Sequence, residues 1–486
     1  MVIGIPREDT LRDETVEKYF PASNTTYTQL MSIPWLRPLT ALFPKGVVAS
    51  DAETLAAHSG DAWFASTLPQ AVVFPRKAEE VAALLRFANQ RKIPVTARGA
   101  GRGYVGGCVP KKGGIVVSFA RMNRILDINV VDGVGVVQPG VITGEFQAQA
   151  RRLGLLFPPD PASLKECSLG GNVATNAGGP RCLKYGVTRH YVLGLQVALA
   201  DGTLVRVGGR TIKNKSGFDL VGIFVGSEGL LGIVTEITLR LIPAPPARAA
   251  LAGSFANASV AAACVQHLFR EGFLPSALEL ADQFTLQAAR RHLGSEHLPK
   301  GNAHLLIEID GQPGSVRSEV RILAGLLKSG GALEITTATT EAACERLWGL
   351  RREFSASLKA TGLTKLNEDI CVPRSKLVDL FAFTARLQKK YRVEIASFGH
   401  AGDGNIHVNI MVDMTQRGVK ERANRALDEL FRQIIAWGGS ITGEHGIGLA
   451  KLPWWPQAAS PELRRLHARI KKALDPKHIL NPGKFV

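Results

Sequence analysis

Residues 96–110, TARGAGRGYVGGCVP, follow a short apolar run and set Gly101, Gly103 and Gly106 in the spacing of a dinucleotide-binding fingerprint. That fingerprint needs a helix to start within it, so that the helix N-terminus faces the pyrophosphate. Pro110, Gly113 and Gly114 exclude a helix here, and the Rossmann reading fails with it. What remains is a run of small residues whose consecutive backbone N–H groups form a nest able to hold a diphosphate, with Arg98 and Arg102 adding charge. A second glycine-rich run, PPDPASLKECSLGGNVATNAGGP at 158–180, supplies Gly170, Gly171, Asn172, Thr175, Asn176, Gly178 and Gly179. One such run alone reads as an irregular loop with Asn in left-handed conformations. Two of them, with the strand-leading GSEGLLGIVTE at 226–236, point to a large phosphate-bearing cofactor.

Around these runs the pattern is α/β. AVVFP at 71–75 reads as a short buried strand, and AEEVAALLRFANQRK at 78–92 has helical apolar spacing at Val81, Leu84, Leu85 and Phe87. IPVTAR is the next strand. Further strands are predicted at GIVVSF, GVVQPG, GLQVALADG, TLVRVGG and LGIVTEITLRL, before the proline run IPAPPA at 242–247. The chain is 486 residues long, too many for one ordinary core. The division expected is an N-terminal extension with first helices at 1–60, a first domain at 61–245 and a second at 246–486. In the second, amphipathic helices such as SVAAACVQHLFREG and SVRSEVRILAGLLKSGG alternate with strands, which predicts an α+β cap with an antiparallel sheet.

Two segments of that cap carry chemistry: FGHAGDGNIHVNI at 398–410 and TGEHGIGLAK at 442–451. Together they concentrate His400, His407, Glu444 and His445. Imidazole and carboxylate are ligands for zinc-like ions, so three of these groups can hold a divalent metal while the fourth moves a proton. Alternation over 406–411 reads as a strand with His407, Asn409 and Met411 on one face, and the glycine turn before it lets His400 swing to the same side. Asn409 is thereby a candidate substrate contact, with strand hydrogen bonding as its ordinary reading.

Composition excludes several classes. No stretch of eighteen apolar residues occurs, and the first twenty residues lack the order of a secretion signal, which gives the expectation of a soluble cytoplasmic protein. Six cysteines without a CxxC pair indicate neither a disulfide framework nor an iron–sulfur centre. The net charge of +17 gathers at Arg290–Arg291, at Lys389, Lys390 and Arg392, and in the closing helix (Arg464, Arg465, Arg469, Lys471, Lys472). It reads first as a solvated basic surface. Nucleic acid is not expected as a partner, since no recognition motif accompanies the charge. An acidic protein, an anionic membrane surface at the inner face and a homodimer stay open.

The motifs RGAGRGYVGG, PDPASLKECSLGGNVATNAGGPRCLKYGVTRHYV, GSEGLLGIVTEITL, GHAGDGNIH, GEHGIG and DPKHILNPGK stand in this order from about Phe43 to the end. They resemble the FAD-dependent 2-hydroxyacid dehydrogenases of the vanillyl-alcohol oxidase / p-cresol methylhydroxylase (PCMH) fold, a group with D-lactate dehydrogenase, the glycolate oxidase FAD subunit and D-2-hydroxyglutarate dehydrogenase. The resemblance implies a PCMH-type FAD-binding domain followed by the cap. It places the FAD diphosphate on Arg98, Gly99, Ala100, Gly101, Arg102 and Gly103 and on Gly170, Gly171, Asn172, Thr175 and Asn176. Pro159, Asp160 and Ile233 would line the flavin and adenine ends, and Asn481 with Lys484 would close beside the flavin. No histidine stands in the first loop where covalent relatives carry one, so the FAD is expected to be noncovalent. Arg102 and Val105 depart from the Thr and Ser of many relatives.

The same resemblance makes His400, His407 and Glu444 the ligands of a divalent metal, Zn or Mn, and His445 the base. It gives Arg351 the substrate carboxylate. The activity implied is oxidation of a small D-2-hydroxy acid to the 2-oxo acid, with hydride passing to flavin N5. Relatives acting on 2-hydroxyglutarate carry Lys six residues before the proline that here is Pro373, where this chain has Asn367. D-lactate or glycolate is therefore favoured, although Lys365 lies close by. The alternatives are D-2-hydroxyglutarate and a redox-neutral flavoenzyme of the same fold; a flavin-free metallohydrolase would leave both glycine runs unexplained. With no iron–sulfur or haem pattern in the chain, electrons must leave to an external acceptor: an iron–sulfur subunit, an electron-transferring flavoprotein, a quinone or a cytochrome.

Overall fold

The computed structural model describes residues 33–294 and 300–486. Residues 1–32 of the expected N-terminal extension lie outside the described residues. The first half begins with β1 (Val48–Ala49), β2 (Ala71–Val73), β3 (Val95–Arg98) and β4 (Ile115–Ser118), in the order β1-β2-β4-β3. β2, β4 and β3 are parallel and β1 is antiparallel to β2. Helix Ala78–Arg91 crosses from β2 to β3 because Val81, Leu84, Leu85 and Ala88 fall on one face and are buried. Glu79 and Glu80 in its first turn and Arg91 in its last oppose the helix dipole. Next comes an antiparallel sheet of β5 (Ile125–Asn129), β6 (Val134–Val137), β8 (Val192–Ala198), β9 (Leu204–Gly208) and β10 (Ile233–Arg240), ordered β5-β6-β10-β8-β9. β7 (Leu155–Leu156) pairs with β11 (Ile242–Pro243), so the proline run starts as paired strand.

The second half is built on one seven-stranded sheet of β12 (Ala247–Phe255), β13 (Ala277–Ala281), β14 (Ala303–Gly311), β15 (Glu334–Ala338), β16 (Thr364–Cys371), β17 (Glu394–His400) and β18 (Asn405–Val412). Its order is β15-β12-β14-β13-β17-β18-β16, antiparallel throughout as expected. Ile406, Val408 and Ile410 of β18 join the core beneath helices Ala258–Arg270, Pro313–Ser329, Leu377–Tyr391 and Val419–Ala436. Because side chains alternate across a strand, Asn405, His407 and Asn409 face the other way. Register then sets their neighbours: His400 opposite Glu279 and Asn405, His407 opposite Phe398 and Asp369, Asn409 opposite Asn367. One layer thus carries a row of buried polar groups between apolar strands.

The chain end crosses back. Val95 N–H donates to Ile479 and Asn481 N–H to the Val95 carbonyl, while Ile479 and Leu480 enter the core of the first sheet. Lys471, expected on a basic surface, is instead buried: its Nζ donates to the carbonyls of Leu230 and Leu480 and lies 2.6 Å from Asp475 Oδ2. Helical periodicity explains the difference, because Lys471 sits on the inner face of helix Pro461–Leu474 while Arg465, Arg469 and Lys472 stay outside. Asp475 also accepts from the N–H groups of Ile479 and Leu480. Replacing Asp475 by Ala should leave a buried ammonium and two amides without their acceptor, a loss of about 3–5 kcal/mol. The expected readout is a clear fall in melting temperature, and melting within a degree of wild type would reject this clamp.

Candidate active site

The loop after Thr442 carries Glu444 and His445 and has no regular structure of its own, so its shape comes from its acceptors. Asp369 Oδ2, on β16, accepts from the N–H groups of Gly443 (2.9 Å), Glu444 (2.8 Å) and His445 (2.9 Å) and from Thr442 Oγ1 (3.1 Å). From the first half, Glu228 accepts from Ile447 and Gly448 N–H, each at 2.8 Å. Glycine is required at both bends: Gly446 has φ +88° and Gly448 φ +50°, and a Cβ on Gly448 would lie 2.3 Å from the Val105 carbonyl oxygen. Burial alone would raise the Asp369 pKa, yet His445, His407 and the amides hold it well below the usual carboxylate range. Glu228 is pushed up by burial, partly offset by its two N–H donors.

The four chemically active side chains converge. Glu444 Oε1 lies 3.7 Å from His400 Nε2, 3.6 Å from His407 Nε2 and 3.9 Å from His445 Nε2. The His407 and His445 rings stack at 5.6 Å, and Tyr104 of the first glycine loop packs on His445 at 5.4 Å. His400 Nδ1 is 2.6 Å from Glu279 Oε1, which leaves Nε2 to point at Glu444. Burial would depress the His400 pKa, but Glu279 and Glu444 raise it well above 6.5. Burial drives His407 down to about 3, so its ring is neutral. Burial also opposes ionisation of Glu279, but Arg351 and then His400 bring it to about 2.

Asp369, His407, Glu444 and His445 also bring ligand atoms within 4.8 Å of one another. Asp369 is the less suitable ligand, because Oδ2 is taken by the loop donors and Oδ1 accepts from Asn405 Nδ2. Glu444 Oε2, by contrast, is buried without a partner. Two or three imidazole nitrogens around one carboxylate oxygen are the donor set of a zinc-like cation.

The two glycine runs meet. A Cβ on Gly99 would lie 2.3 Å from Ser168 Oγ and 3.3 Å from Gly171 N. Among the described residues, no backbone N–H of residues 100–105 donates to a protein acceptor, so the nest keeps its donors. The arginine charge expected there is committed elsewhere. Arg98 donates to the carbonyls of Gly60 and Ala57 and fills the space beside Gly101, while Arg102 pairs with exposed Glu166 at 2.9 Å. What these residues offer an anion is backbone.

The second run is not all loop: helix Leu169–Thr175 forms in it, capped by Ser168, despite its low glycine propensity. Gly170 packs on Pro139, Asn172 donates to Thr143, Thr175 bonds back to the Gly171 carbonyl, and left-handed Asn176 accepts from Arg189 N–H. The Pro159 carbonyl accepts from Gln147, and Asp160 is paired with Arg181 at 2.7 Å. Ile233 lies in the core with Val81 and Leu85. Asn481 donates to the Gly107 and Glu228 carbonyls and Lys484 to that of Val109.

Arg351 donates to Glu279 Oε2 at 2.5 Å and lies 4.9 Å over the Phe398 ring. Asn409 Nδ2 donates to the Ala396 and His407 carbonyls, so its Oδ1, buried and without a partner, is fixed as an acceptor. Sequence reasoning missed Asp369, Glu279 and Glu228. The available signal was an acid inside an apolar strand, in NEDIC and LELAD, and the Glu of GSEG.

Residues 69–208 match the family model described as "FAD binding domain", and residues 244–485 match that of "FAD linked oxidases, C-terminal domain". The chain is 38% identical over 419 residues to glycolate oxidase subunit GlcD of Bacillus subtilis, covering 86% of this chain and 89% of that protein. It is likewise 38% identical over 416 residues to a D-lactate dehydrogenase of Archaeoglobus fulgidus, covering 85% and 91%. Among solved structures, p-cresol methylhydroxylase with substrate bound superposes with a TM-score of 0.75 at 20% identity, covering 92% of this chain and 95% of that one; this likeness is one of fold.

Replacing Asp369 by Ala should strand three loop N–H groups in a buried setting, at about 1–3 kcal/mol each. The expected result is a markedly lower urea midpoint and faster proteolysis within 442–448. A variant as resistant as wild type would show that the loop is shaped by something else.

Proposed function

Because the chain belongs to the FAD-linked 2-hydroxyacid dehydrogenase family of glycolate oxidase subunit GlcD and D-lactate dehydrogenase, we propose that it oxidises a small D-2-hydroxy acid, D-lactate or glycolate foremost, to the 2-oxo acid. The observation that carries this reading is the convergence of three imidazole Nε2 atoms on Glu444 Oε1 beneath the glycine loops. FAD, held noncovalently, supplies the hydride acceptor, and a divalent cation, Zn or Mn, lowers the pKa of the substrate hydroxyl.

His400, His407 and Glu444 are assigned as cation ligands. Glu279 fixes the His400 tautomer, so that Nε2 carries the lone pair. His445 is assigned as the base: its Nε2 takes the hydroxyl proton, and Asp369, 3.8 Å from Nδ1, stabilises the imidazolium that results. Glu228 and Asp369 position it through the loop backbone. Arg351 keeps its terminal nitrogens for the substrate carboxylate while Glu279 holds Nε. Asn409 Oδ1 accepts from a donor on the bound acid. The backbone of residues 100–105, with Gly170 and Gly171 beside it, holds the diphosphate. The electron acceptor is external, of the iron–sulfur, flavoprotein, quinone or cytochrome class.

One observation favours the dicarboxylate alternative, D-2-hydroxyglutarate. Lys365 Nζ bonds Ser355 Oγ at 3.0 Å, one helical turn beyond Arg351, and burial brings its pKa down to about 8. A second cation thus lies in the same layer.

Anaerobic visible spectra with D-lactate, L-lactate, glycolate and D-2-hydroxyglutarate test both readings. Flavin bands should bleach with a D-acid or glycolate and fail to bleach after dialysis against EDTA. His445→Gln should keep the flavin and slow bleaching by roughly 10²–10⁴-fold. Bleaching by D-2-hydroxyglutarate alone selects the alternative. Full-speed bleaching in the EDTA-treated protein or in His445→Gln removes the proposed mechanism.

A further inference from the structure

The 442–448 loop fixes where His445 sits but not which way its ring turns. Its backbone N–H is bonded to Asp369, yet neither ring nitrogen has a hydrogen-bond partner among the described residues. The nearest carboxylate oxygens are Asp369 Oδ2, 3.8 Å from Nδ1, and Glu444 Oε1, 3.9 Å from Nε2, both beyond hydrogen-bond reach. His400, by contrast, is fixed by Glu279 at 2.6 Å. The contacts of the His445 ring are with other rings: His407 stacks on it at 5.6 Å and 16°, and Tyr104 lies 5.4 Å away at 30°. Among the described residues no ring contact joins Tyr104 to His407, so the two reach His445 from different sides. The backbone on both sides of Tyr104 is pinned. The Gly103 carbonyl accepts from Ala62 N–H at 2.9 Å, and the Val105 carbonyl from Leu449 and Ala450 N–H at 2.6 and 3.0 Å.

We propose that Tyr104 is a positioning residue for the base, its ring holding the His445 imidazole in the plane from which Nε2 reaches the substrate hydroxyl. The role rests on the assignment of His445 as the base. A proton acceptor must meet the hydroxyl at hydrogen-bond distance, and an imidazole without a hydrogen bond of its own is free to turn about its two side-chain torsions. Near-parallel rings at this separation attract each other and restrict that turning. His407 covers only one side, and its own Nδ1 is buried without a partner. The ring of Tyr104 rather than its hydroxyl carries the role, since no hydrogen bond ties that hydroxyl to the described residues. Tyr104 belongs to the glycine loop that offers its backbone to the diphosphate. The base is therefore held by its ring from the first half of the molecule, while Asp369 holds its backbone from the second.

Stopped-flow reduction of the FAD-loaded, zinc-supplemented protein, read per bound flavin, tests the proposal with whichever of D-lactate, glycolate and D-2-hydroxyglutarate bleaches wild type fastest. Tyr104→Phe should match wild type. Tyr104→Leu should lower the limiting rate about 10- to 100-fold and leave the half-saturating acid concentration unchanged. In the His445→Gln background the same Leu substitution should cost nothing more, because the ring it positions is gone. Nuclear magnetic resonance of protein labelled with ¹³C-histidine gives a readout independent of turnover. The His445 ring signal, identified by its loss in His445→Gln, should move in Tyr104→Leu and stay in place in Tyr104→Phe. Three outcomes overturn the proposal: Tyr104→Phe as slow as Tyr104→Leu, equal slowing by Tyr104→Leu with and without His445, or a His445 signal that Tyr104→Leu leaves unmoved. Wild-type flavin left oxidised by all three acids would instead overturn the functional reading together with the base assignment, a result that none of those three resembles.

Discussion

The placement of Glu444 and His445 depends on two buried carboxylates that reach the 442–448 loop from opposite halves of the molecule. Each would lose several kcal/mol of hydration on burial if left unpaired. Asp369 recovers that loss from three amides and a hydroxyl, whereas two amides offset it only in part for Glu228. His445, His407 and the loop amides together hold Asp369 ionised in a dry site. Asp369 therefore serves twice, since the charge that gathers the loop also stands 3.9 Å from His407 Nδ1 and 3.8 Å from His445 Nδ1.

That arrangement holds only if the halves keep their distance, and several contacts fix it. Leu449 and Ala450 N–H both donate to the Val105 carbonyl, so the segment after the 442–448 loop is anchored on the first glycine run. Arg181 bridges Asp160 of the first half to Glu308 of β14 at 2.7 and 2.8 Å. Glu308 is held in turn by Arg248 and Trp348 Nε1. Four charged groups in a row are costly to bury singly, but Arg181, Glu308 and Arg248 each have a partner on both sides, and Asp160 ends the row on Arg181. Asn481 joins Gly107 and Glu228 through one amide, and so links the chain end to both motifs.

The fold was legible because local signals agreed with it. The helix Ala78–Arg91, the strands on either side and the absence of a helix after Arg98 all follow from apolar spacing and from Pro110. The convergence of His400 and His407 was legible as well, because a hairpin with alternating side chains leaves little choice. Glu279 and Asp369 were not legible as neighbours: each is set by strand pairing over a sequence separation of more than thirty residues, which no local pattern encodes. Helix Leu169–Thr175 was hidden by its glycines, whose propensity is overridden by the Ser168 cap and by packing of Leu169 and Val173. Lys471 was placed on the surface because composition counts charges without regard to which helix face they occupy.

Charge in the molecule is segregated, and this bears on what the site can bind. The chain as a whole is strongly basic, whereas the candidate layer holds three carboxylates, Glu279, Asp369 and Glu444, against the Arg351 guanidinium, the Lys365 ammonium and His400. With His400 carrying a proton between Glu279 and Glu444, the three cations balance the three carboxylates, and neutral His407 contributes nothing. A layer so balanced adds little attraction of its own for a hydroxy-acid anion that the basic exterior draws in. On the proposed reading, a divalent cation held by His400, His407 and Glu444 would make the field at that point positive. It would displace the His400 proton and leave Arg351 free to act on the carboxylate alone. The cation would thus act twice, first drawing the anion and then acidifying its hydroxyl. Loss of the metal would accordingly weaken substrate binding as well as the chemical step.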